Sequence, residues 1–233
     1  MRVLVTRPEP GATRTARRLA ELGMEPVLLP LSRTLPLPAS LPARPFSAAA
    51  ATSANGLRHA DAALLTELAA LPFYAVGGRT AALAKASGFT DIRVAEGEAT
   101  SLARLIARQQ ASGPVAYLCG RVRLPDFEAL LGDAKVEVAA VETYDTHAVT
   151  YEPDALEAAV GRRPPDAALV YSARAGSALR EIAARGGFFS AMRYICISDK
   201  AGAGLEGLGG IHIAERPDEE AMLALLRGER AAP

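Results

Sequence analysis

The apolar positions of the chain occur in short runs, and each run is followed by small polar residues and then by a segment with helical periodicity. This alternation predicts parallel strands that are connected by right-handed crossover helices and covered on both faces of the sheet. Eight such pairs follow one another: "VLVT" before 12–22, "AAAAT" before 55–70, "FYAV" before 80–87, "DIRVA" before 99–110, "VAYLC" before 124–131, "ALVYS" before 175–185, "YICIS" before 199–208 and "IHIA" before 218–227.

Two further apolar runs, "EPVLLPL" and "VEVAAVETY", bring the number of predicted strands to ten, which divide most naturally into two sheets of five. Residues 29–45 contain five prolines and no helical periodicity, so they predict an extended connection. Residues 143–153 are rich in β-branched and aromatic residues, which is typical of a return strand. The predicted fold is α/β, with two doubly wound, flavodoxin-like parallel-sheet domains, one inserted in the other and joined by a two-stranded linker. The first domain is expected at 1–34 plus 149–233, the second at 44–142, and the linkers at about 35–43 and 143–148.

An internal repeat supports the two-domain prediction. "TSANGL" resembles "YSARAG" and the segment from Tyr74 resembles the segment from Tyr194, with a nearly constant offset along the chain. The segment from "LVTRP" to "PVLLPL" likewise resembles the segment from "LCGRV" to "VEVAAV". The sequence therefore predicts two copies of one α/β unit, the second circularly permuted relative to the first.

Composition excludes several functional classes. The 233 residues carry a formal net charge of zero with no basic block, so we expect no nucleic-acid partner. No apolar run approaches the roughly 20 residues that span a bilayer, and the N-terminus reads as a first strand, so a cytoplasmic protein without membrane association is expected. Cys119 and Cys196 lie within apolar runs and are interpreted as core thiols, and the three histidines show no metal-binding spacing. We therefore expect no metal, and we expect a monomer because no exposed apolar stripe stands out.

The segment "GAGLEG" at 202–207 admits two interpretations. It could be the glycine fingerprint of a nicotinamide enzyme, or a helix rich in glycine that ends at Gly207, Gly209 or Gly210. The fingerprint requires its glycines at the turn from strand to helix, where Asp199 and Lys200 stand instead. The pattern therefore favours the glycine-rich helix.

Small, hydroxylated and basic residues follow most of the predicted strands. In parallel sheets these positions lie at the carboxyl edge, where ligands bind, and the free N–H groups of helix N-termini there attract anions. No nucleophile triad, phosphate loop or catalytic pair of carboxylates can be assembled, so catalysis would depend on positioning and electrostatics. The alternative is a non-catalytic, bilobed anion-binding module. The groups are Thr6 and Arg7, Thr52 to Asn55, Gly77 to Thr80, Gly120 and Arg121, Ser172 to Arg174, and Ser198 to Lys200.

These segments resemble the uroporphyrinogen-III synthase family. The similarity is carried, in the family's order, by "VLVTRPEPGATRTARRLAELGMEPVLLPL", "ATSANGLRHA", "YAVGGRTAALAKASGF", "YLCGRVRLPDFEALL", "VEVAAVETYDT" and "ALVYSARAGSAL". It implies an active site between two α/β domains and, as substrate, hydroxymethylbilane, an open tetrapyrrole with eight carboxylates. The implied reaction removes a hydroxyl as water, inverts ring D through a spiro intermediate and closes uroporphyrinogen III without a cofactor or metal.

The same resemblance suggests individual site residues. Tyr144 matches the tyrosine that assists loss of the hydroxyl, although a packed strand residue is an alternative role at this position. Ser53, Thr80 and Ser172 match hydroxyl positions, and Arg7 would lie near a substrate carboxylate. Asn55, in the "TSAN" segment, joins them as a candidate substrate-binding residue. The chain departs from the family pattern at Asp199 and Lys200, which replace a Gly-Pro-Thr-like turn and put the substrate contacts of that loop in doubt.

Overall fold

The computed structural model describes residues 1–109, 113–185, 189 and 192–228. The described residues form strands β1 Arg2–Val5, β2 Glu25–Leu28, β3 Ser32–Pro36, β4 Ala48–Ala51, β5 Phe73–Ala75, β6 Ile92–Val94, β7 Val115–Gly120, β8 Val138–Ala148, β9 Ala167–Val170, β10 Arg193–Cys196 and β11 Ile211–Ile213. The helices are α1 Gly11–Glu21, α2 Ala54–Arg58, α3 Ala62–Leu68, α4 Gly78–Ala86, α5 Ala99–Gln109, α6 Asp126–Asp133, α7 Pro153–Val160, α8 Ala173–Ala184, α9 Asp199–Ala203 and α10 Glu219–Arg227.

The chain divides into two compact units. Unit 1 consists of Met1–Arg33 and His147–Pro233, and unit 2 consists of Thr34–Thr146. The chain therefore leaves unit 1 within β3 and returns to it within β8. These two strands are neighbours in one sheet, as the predicted two-stranded linker requires.

Each unit is built around a parallel sheet. The sheet of unit 1 has the strand order β11-β10-β9-β1-β2, and all four of its strand pairs are parallel. The second sheet has the order β3-β8-β7-β4-β5-β6, in which the pairs from β8 to β6 are parallel. The predicted α/β class is confirmed. The sheet of unit 1 has the expected five strands. The second sheet has six, because β3 pairs with the long β8 at one edge.

The strand orders confirm the circular permutation. When β7 and β8 are matched to β1 and β2, and β4, β5 and β6 to β9, β10 and β11, the two five-stranded orders become identical. The repeat found in the sequence therefore corresponds to two copies of the same strand order. In each unit the direction of strand addition reverses at one place, between β1 and β9 in unit 1 and between β7 and β4 in unit 2.

Two features of the helices differ from the sequence prediction. The segment expected as one helix over 55–70 forms α2 and α3, because Asp61 accepts a hydrogen bond from the Ala63 N–H at 2.8 Å and starts a new helix. Helix α7 was not predicted, although Pro153 at its first position and Asp154 in its first turn are typical of a helix N-terminus.

The core of each unit occupies both faces of its sheet, as expected for strands buried on both sides. In unit 1, Leu4 and Tyr194 belong to one face, and Val3 and Ile195 to the other. Cys119 and Cys196 are both buried, which confirms their interpretation as core thiols. Burial raises the pKa of each thiol to about 12, so both remain protonated and unreactive.

Two glycines of "GAGLEG", Gly202 and Gly204, allow close packing. A Cβ at Gly204 would lie 2.3 Å from the Ala173 carbonyl oxygen of α8, and a Cβ at Gly202 would lie 2.6 Å from Ile213 Cδ1. Ser198, whose hydroxyl accepts from the Ala201 N–H, begins α9 where a dinucleotide fingerprint would place its first glycine. The helix ends at Ala203 with Gly204 as its cap, so the predicted end at Gly207, Gly209 or Gly210 was wrong.

We expect Gly204→Ala to lower the free energy of unfolding by about 1–3 kcal/mol, because the added methyl group meets fixed backbone atoms of α8. Urea unfolding of the purified variant measures this loss. Gly209→Ala is the matched control, since nothing lies within 4 Å of its added Cβ. Equal stabilities for the two variants would contradict the proposed close packing of α8 and α9.

Candidate active site

Topology identifies one candidate edge in each unit. In open parallel sheets, ligands bind outside the carboxyl ends of the strands, at the place where the strand order reverses. In unit 2 this place is the carboxyl end of β4 and β7, here called the β4/β7 edge, which is followed by Thr52, Ser53 and Arg121. In unit 1 it is the carboxyl end of β1 and β9, the β1/β9 edge, which is followed by Thr6, Arg7, Tyr171 and Ser172.

Tyr144 is brought to the β4/β7 edge by a bulge in β8. The register moves from Cys119 opposite Glu142 to Gly120 opposite Tyr144, so Thr143 is an extra residue on β8. The Thr143 hydroxyl is buried and donates to the Gly56 carbonyl at 2.8 Å, which holds the extra residue inward. A bulge changes the direction in which the following side chains point. The sequence analysis identified Tyr144 but missed Thr143, for which the sequence offered no signal.

The Tyr144 ring lies across Gly120. A Cβ at Gly120 would come within 2.7 Å of Tyr144 Cζ and 3.0 Å of its hydroxyl oxygen, so only glycine leaves room for the ring. The His59 ring packs against Tyr144 with the two centroids 5.7 Å apart. Ser53 begins α2 and accepts a hydrogen bond from the Asn55 N–H at 3.2 Å. Gly120 and His59 thus join the site, and neither had been assigned a role toward Tyr144 from the sequence.

The electrostatics of this edge keep Tyr144 protonated. Burial raises the pKa of Tyr144, and a hydrogen bond with Ser53 offsets that rise only in part. Burial and the neighbouring Arg58 lower the pKa of His59, so its imidazole is neutral at pH 7. The result is a neutral phenol that donates hydrogen bonds across the physiological pH range.

The other candidates of unit 2 lie on neighbouring elements. The Asn55 side-chain oxygen accepts a hydrogen bond from Arg58 within α2. Thr80 lies in α4, where it is 3% exposed, and α4 packs against α2. Arg121 pairs with Glu142 at 3.2 Å and with Asp145 at 3.7 Å. The structure therefore brings Ser53, Asn55 and Tyr144 to one edge and buries Thr80 beside them.

Arg7 occupies the β1/β9 edge of unit 1. Its guanidinium lies over the Tyr171 ring, 4.3 Å from the centroid, and its Nη1 contacts Glu219 at 3.2 Å. Ser172 follows Tyr171 and caps α8, where its hydroxyl accepts from the Ala175 N–H at 3.2 Å. The two residues that the sequence suggested for unit 1, Arg7 and Ser172, thus lie at the same edge.

Glu219 is a functional candidate that the sequence analysis missed. Its carboxylate accepts hydrogen bonds from Thr15, from the Tyr171 hydroxyl at 2.9 Å and from Arg18 at 3.1 Å, in addition to Arg7. Burial alone would raise the pKa of Glu219, but the hydrogen bonds and the two arginines lower it below 4.5. The partners come from segments far apart in the sequence, so only the fold reveals this cluster.

Glu219 should contribute stability that depends on pH. Because its folded-state pKa lies below the ordinary 4.5, the contribution is present above pH 4.5 and is lost as the pH falls through the lower, folded-state value. We expect the difference in unfolding free energy between wild type and Glu219→Gln to be constant from pH 7 to 5 and to shrink toward pH 3. Urea unfolding across this range tests it, with Glu220→Gln, a more exposed carboxylate, as control. A difference that grows below pH 4.5 would contradict the assignment.

The loop that departs from the family pattern is exposed. Asp199 and Lys200 form the first turn of α9, and both are exposed. Within the described ranges, no group of three or more His, Cys, Asp or Glu side chains could hold a metal ion. In the same part of the chain, every helix is too short or too polar to cross a bilayer.

A family model described as "Uroporphyrinogen-III synthase HemD" matches residues 13–224. The chain belongs to the uroporphyrinogen-III synthase family. Enzymes of this family are cyclising lyases of tetrapyrrole biosynthesis, so the family implies a tetrapyrrole substrate.

Solved uroporphyrinogen-III synthases share the fold. A uroporphyrinogen-III synthetase from Helicobacter pylori is 19% identical with a TM-score of 0.69, and the match covers 99% of this chain and 100% of that one. A mutant uroporphyrinogen III synthase from the extremely thermophilic bacterium Thermus thermophilus is also 19% identical, with a TM-score of 0.53 and 98% of each chain covered. No curated protein matches the sequence significantly.

Proposed function

We propose that this chain converts hydroxymethylbilane into uroporphyrinogen III, with loss of water and inversion of ring D. The observation that carries the proposal is the placement of Tyr144, a protonated phenol at the topological switch point of unit 2. Family membership supplies the tetrapyrrole class of the substrate. The eight carboxylates of hydroxymethylbilane fit edges that are rich in hydroxyl and N–H donors.

Tyr144 is proposed to assist the first chemical step. The carbon–oxygen bond of the terminal hydroxymethyl group breaks as the pyrrole nitrogen donates electrons, and the hydroxyl leaves as water. A phenol that stays protonated donates a hydrogen bond, and then a proton, to the departing oxygen. The neutral His59 ring packs beside Tyr144 without adding a charge, and Ser53 orients the hydroxyl. Ring closure releases one proton from carbon as the pyrrole regains its aromaticity, and this proton returns the Tyr144 phenolate to the phenol, so the cycle balances.

The substrate carboxylates are proposed to contact Arg7, Ser53, Asn55, Thr80 and Ser172. Arg7 offers a guanidinium to a carboxylate, which can accept two parallel hydrogen bonds from it. Ser172 stands at the N-terminus of the long helix α8, where the helix dipole favours negative charge. These groups position the substrate, and the rate enhancement follows from that positioning and from Tyr144.

Further properties belong to the same proposal. The protein acts without a cofactor or metal, as a cytoplasmic monomer that binds neither nucleic acid nor membrane. Units 1 and 2 correspond to the two family domains. The domains occupy 1–34 plus 149–233 and 44–142, with linkers at 35–43 and 143–148.

An isomer assay tests the proposed function. Freshly prepared hydroxymethylbilane is incubated with the purified protein, the products are oxidised, and the type I and type III porphyrins are separated by chromatography. We expect the type III isomer to form faster than spontaneous closure forms type I. Exclusive formation of type I, with binding of the polycarboxylate intact, would overturn the proposal in favour of a non-catalytic anion-binding module.

A further inference from the structure

The Arg7 side chain lies on a glycine. A Cβ built at Gly11 would lie 2.5 Å from Arg7 Nε and 3.0 Å from Cζ, and the three atoms nearest to it all belong to Arg7. Gly11 is buried at the start of α1, so the guanidinium crosses the helix at a position where no side chain intervenes. Any larger residue at position 11 would displace the guanidinium while leaving the helix backbone in place.

Two other residues contact the guanidinium, one at a face and one at Nη1. The Tyr171 ring covers one face at 4.3 Å, and Glu219 accepts from Nη1 at 3.2 Å. Glu219 is itself held by Thr15, Tyr171 and Arg18, so it is a fixed acceptor that cannot follow Arg7 if Arg7 moves. Gly11, Tyr171 and Glu219 together form what we call the Arg7 seat.

The seat leaves one edge of the guanidinium open. Nε and Nη2 point in the same direction and together form the side-on edge that binds a carboxylate through two hydrogen bonds. Among the described residues neither nitrogen has a hydrogen-bond partner, and the Arg7 side chain is 22% exposed, so this edge remains available to a ligand. The open edge lies at the β1/β9 edge, where the strand order reverses.

We propose that the Arg7 seat is a positioning device: Gly11, Tyr171 and Glu219 hold the Nε/Nη2 edge of Arg7 ready for a carboxylate of the tetrapyrrole substrate. This inference rests on the proposed function and names the residues that act through Arg7. Immobilising a flexible side chain on binding costs free energy, and a guanidinium that is already fixed avoids that cost. Disturbing the seat should therefore weaken substrate binding more than it changes the chemical step.

Gly11→Ala is the decisive variant because it moves Arg7 without changing any charge. The nearest atoms are the outer part of a flexible side chain, so the variant should fold, and its stability should fall only by what the displaced contacts of Arg7 with Tyr171 and Glu219 contribute. We expect KM to rise about 3- to 10-fold, the effect of one side chain that must be ordered on binding, with kcat within about twofold of wild type. Gly132→Ala is the matched control, a helical glycine whose added Cβ meets nothing within 4 Å, and its KM should not change.

A double-mutant cycle with Arg7→Ala separates positioning from a general structural effect. If Gly11 acts through Arg7, adding Gly11→Ala to Arg7→Ala should leave KM unchanged. An equal rise in both backgrounds, or no rise in the single variant, would overturn the inference. Absorbance titration with uroporphyrin III, an octacarboxylate probe, should show the same pattern in Kd. Wild-type protein that forms no type III isomer would instead refute the proposed function, so the two failures remain distinguishable.

Discussion

Tyr144→Phe should lower kcat about 10- to 100-fold and leave KM nearly unchanged. The substitution keeps the ring that packs on Gly120 and His59 and removes only the proton donor. General acid assistance typically contributes about 100-fold or more, and we expect a loss at or below that lower limit because an electron-rich pyrrole already expels the hydroxyl readily. Initial rates of type III formation at several hydroxymethylbilane concentrations measure both constants.

Tyr74→Phe is the matched control for this prediction. Tyr74 is also a buried tyrosine of unit 2, but its hydroxyl pairs with Arg93 on β6. Its removal should leave kcat and KM at wild-type values. If Tyr144→Phe behaves like Tyr74→Phe, Tyr144 is a packing residue and has no part in the loss of water.

Gly120→Ala should lower kcat to a similar degree and also destabilise unit 2. The added methyl group would lie 2.7–3.0 Å from three atoms of the Tyr144 side chain, two of them in the ring, so the ring must leave its position. Overpacking of this kind typically costs about 1–3 kcal/mol. Gly120 does not require a left-handed backbone conformation, so the whole effect is assigned to the ring. Urea unfolding and the isomer assay on one preparation measure the two losses together.

Removing the ring should remove the clash. In a Tyr144→Ala background, Gly120→Ala is expected to cost less than about 0.5 kcal/mol, because the two residues are coupled only through direct contact. An unchanged cost in that background would mean that Gly120 is needed for another reason. In that case the contact between Gly120 and Tyr144 would not support a role of Tyr144 in catalysis.

The layer architecture could be predicted from the sequence because local patterns of apolar and polar residues determine it. Buried runs such as "VLVT" and "VAYLC" precede segments of helical periodicity, and the repeat that links Ser53 to Ser172 reveals the permuted second copy. The break within 55–70 was missed because the apolar period continues across Asp61, whose capping role competes with it only weakly. The pairing of β3 with β8 was expected from the two-stranded linker, but no local pattern indicated that β3 joins the sheet of unit 2 and raises it to six strands.

The candidate site was predicted only in part, for a physical reason. Arg7 could be found from its position after a strand, whereas Tyr144, which lies within β8, was indicated by the family resemblance. Their partners are defined by contacts over long separations: Glu219 reaches Arg7 from α10, and Gly120 meets Tyr144 through a register shift in β8. Neither relation has a spacing that a sequence pattern could reveal.

The discontinuous layout of unit 1 dictates an order of events during synthesis on the ribosome. Strand β1 needs β9 as its neighbour, and the contact between the Arg2 N–H and Asp166 spans 164 residues. All of residues 34–146 emerge before β9 is made, so the inserted unit can complete its sheet from contiguous chain. Until β9 is synthesised, β1 lacks its neighbour in the sheet. The N-terminal segment of the nascent chain therefore exposes an unpaired strand edge and is prone to aggregation.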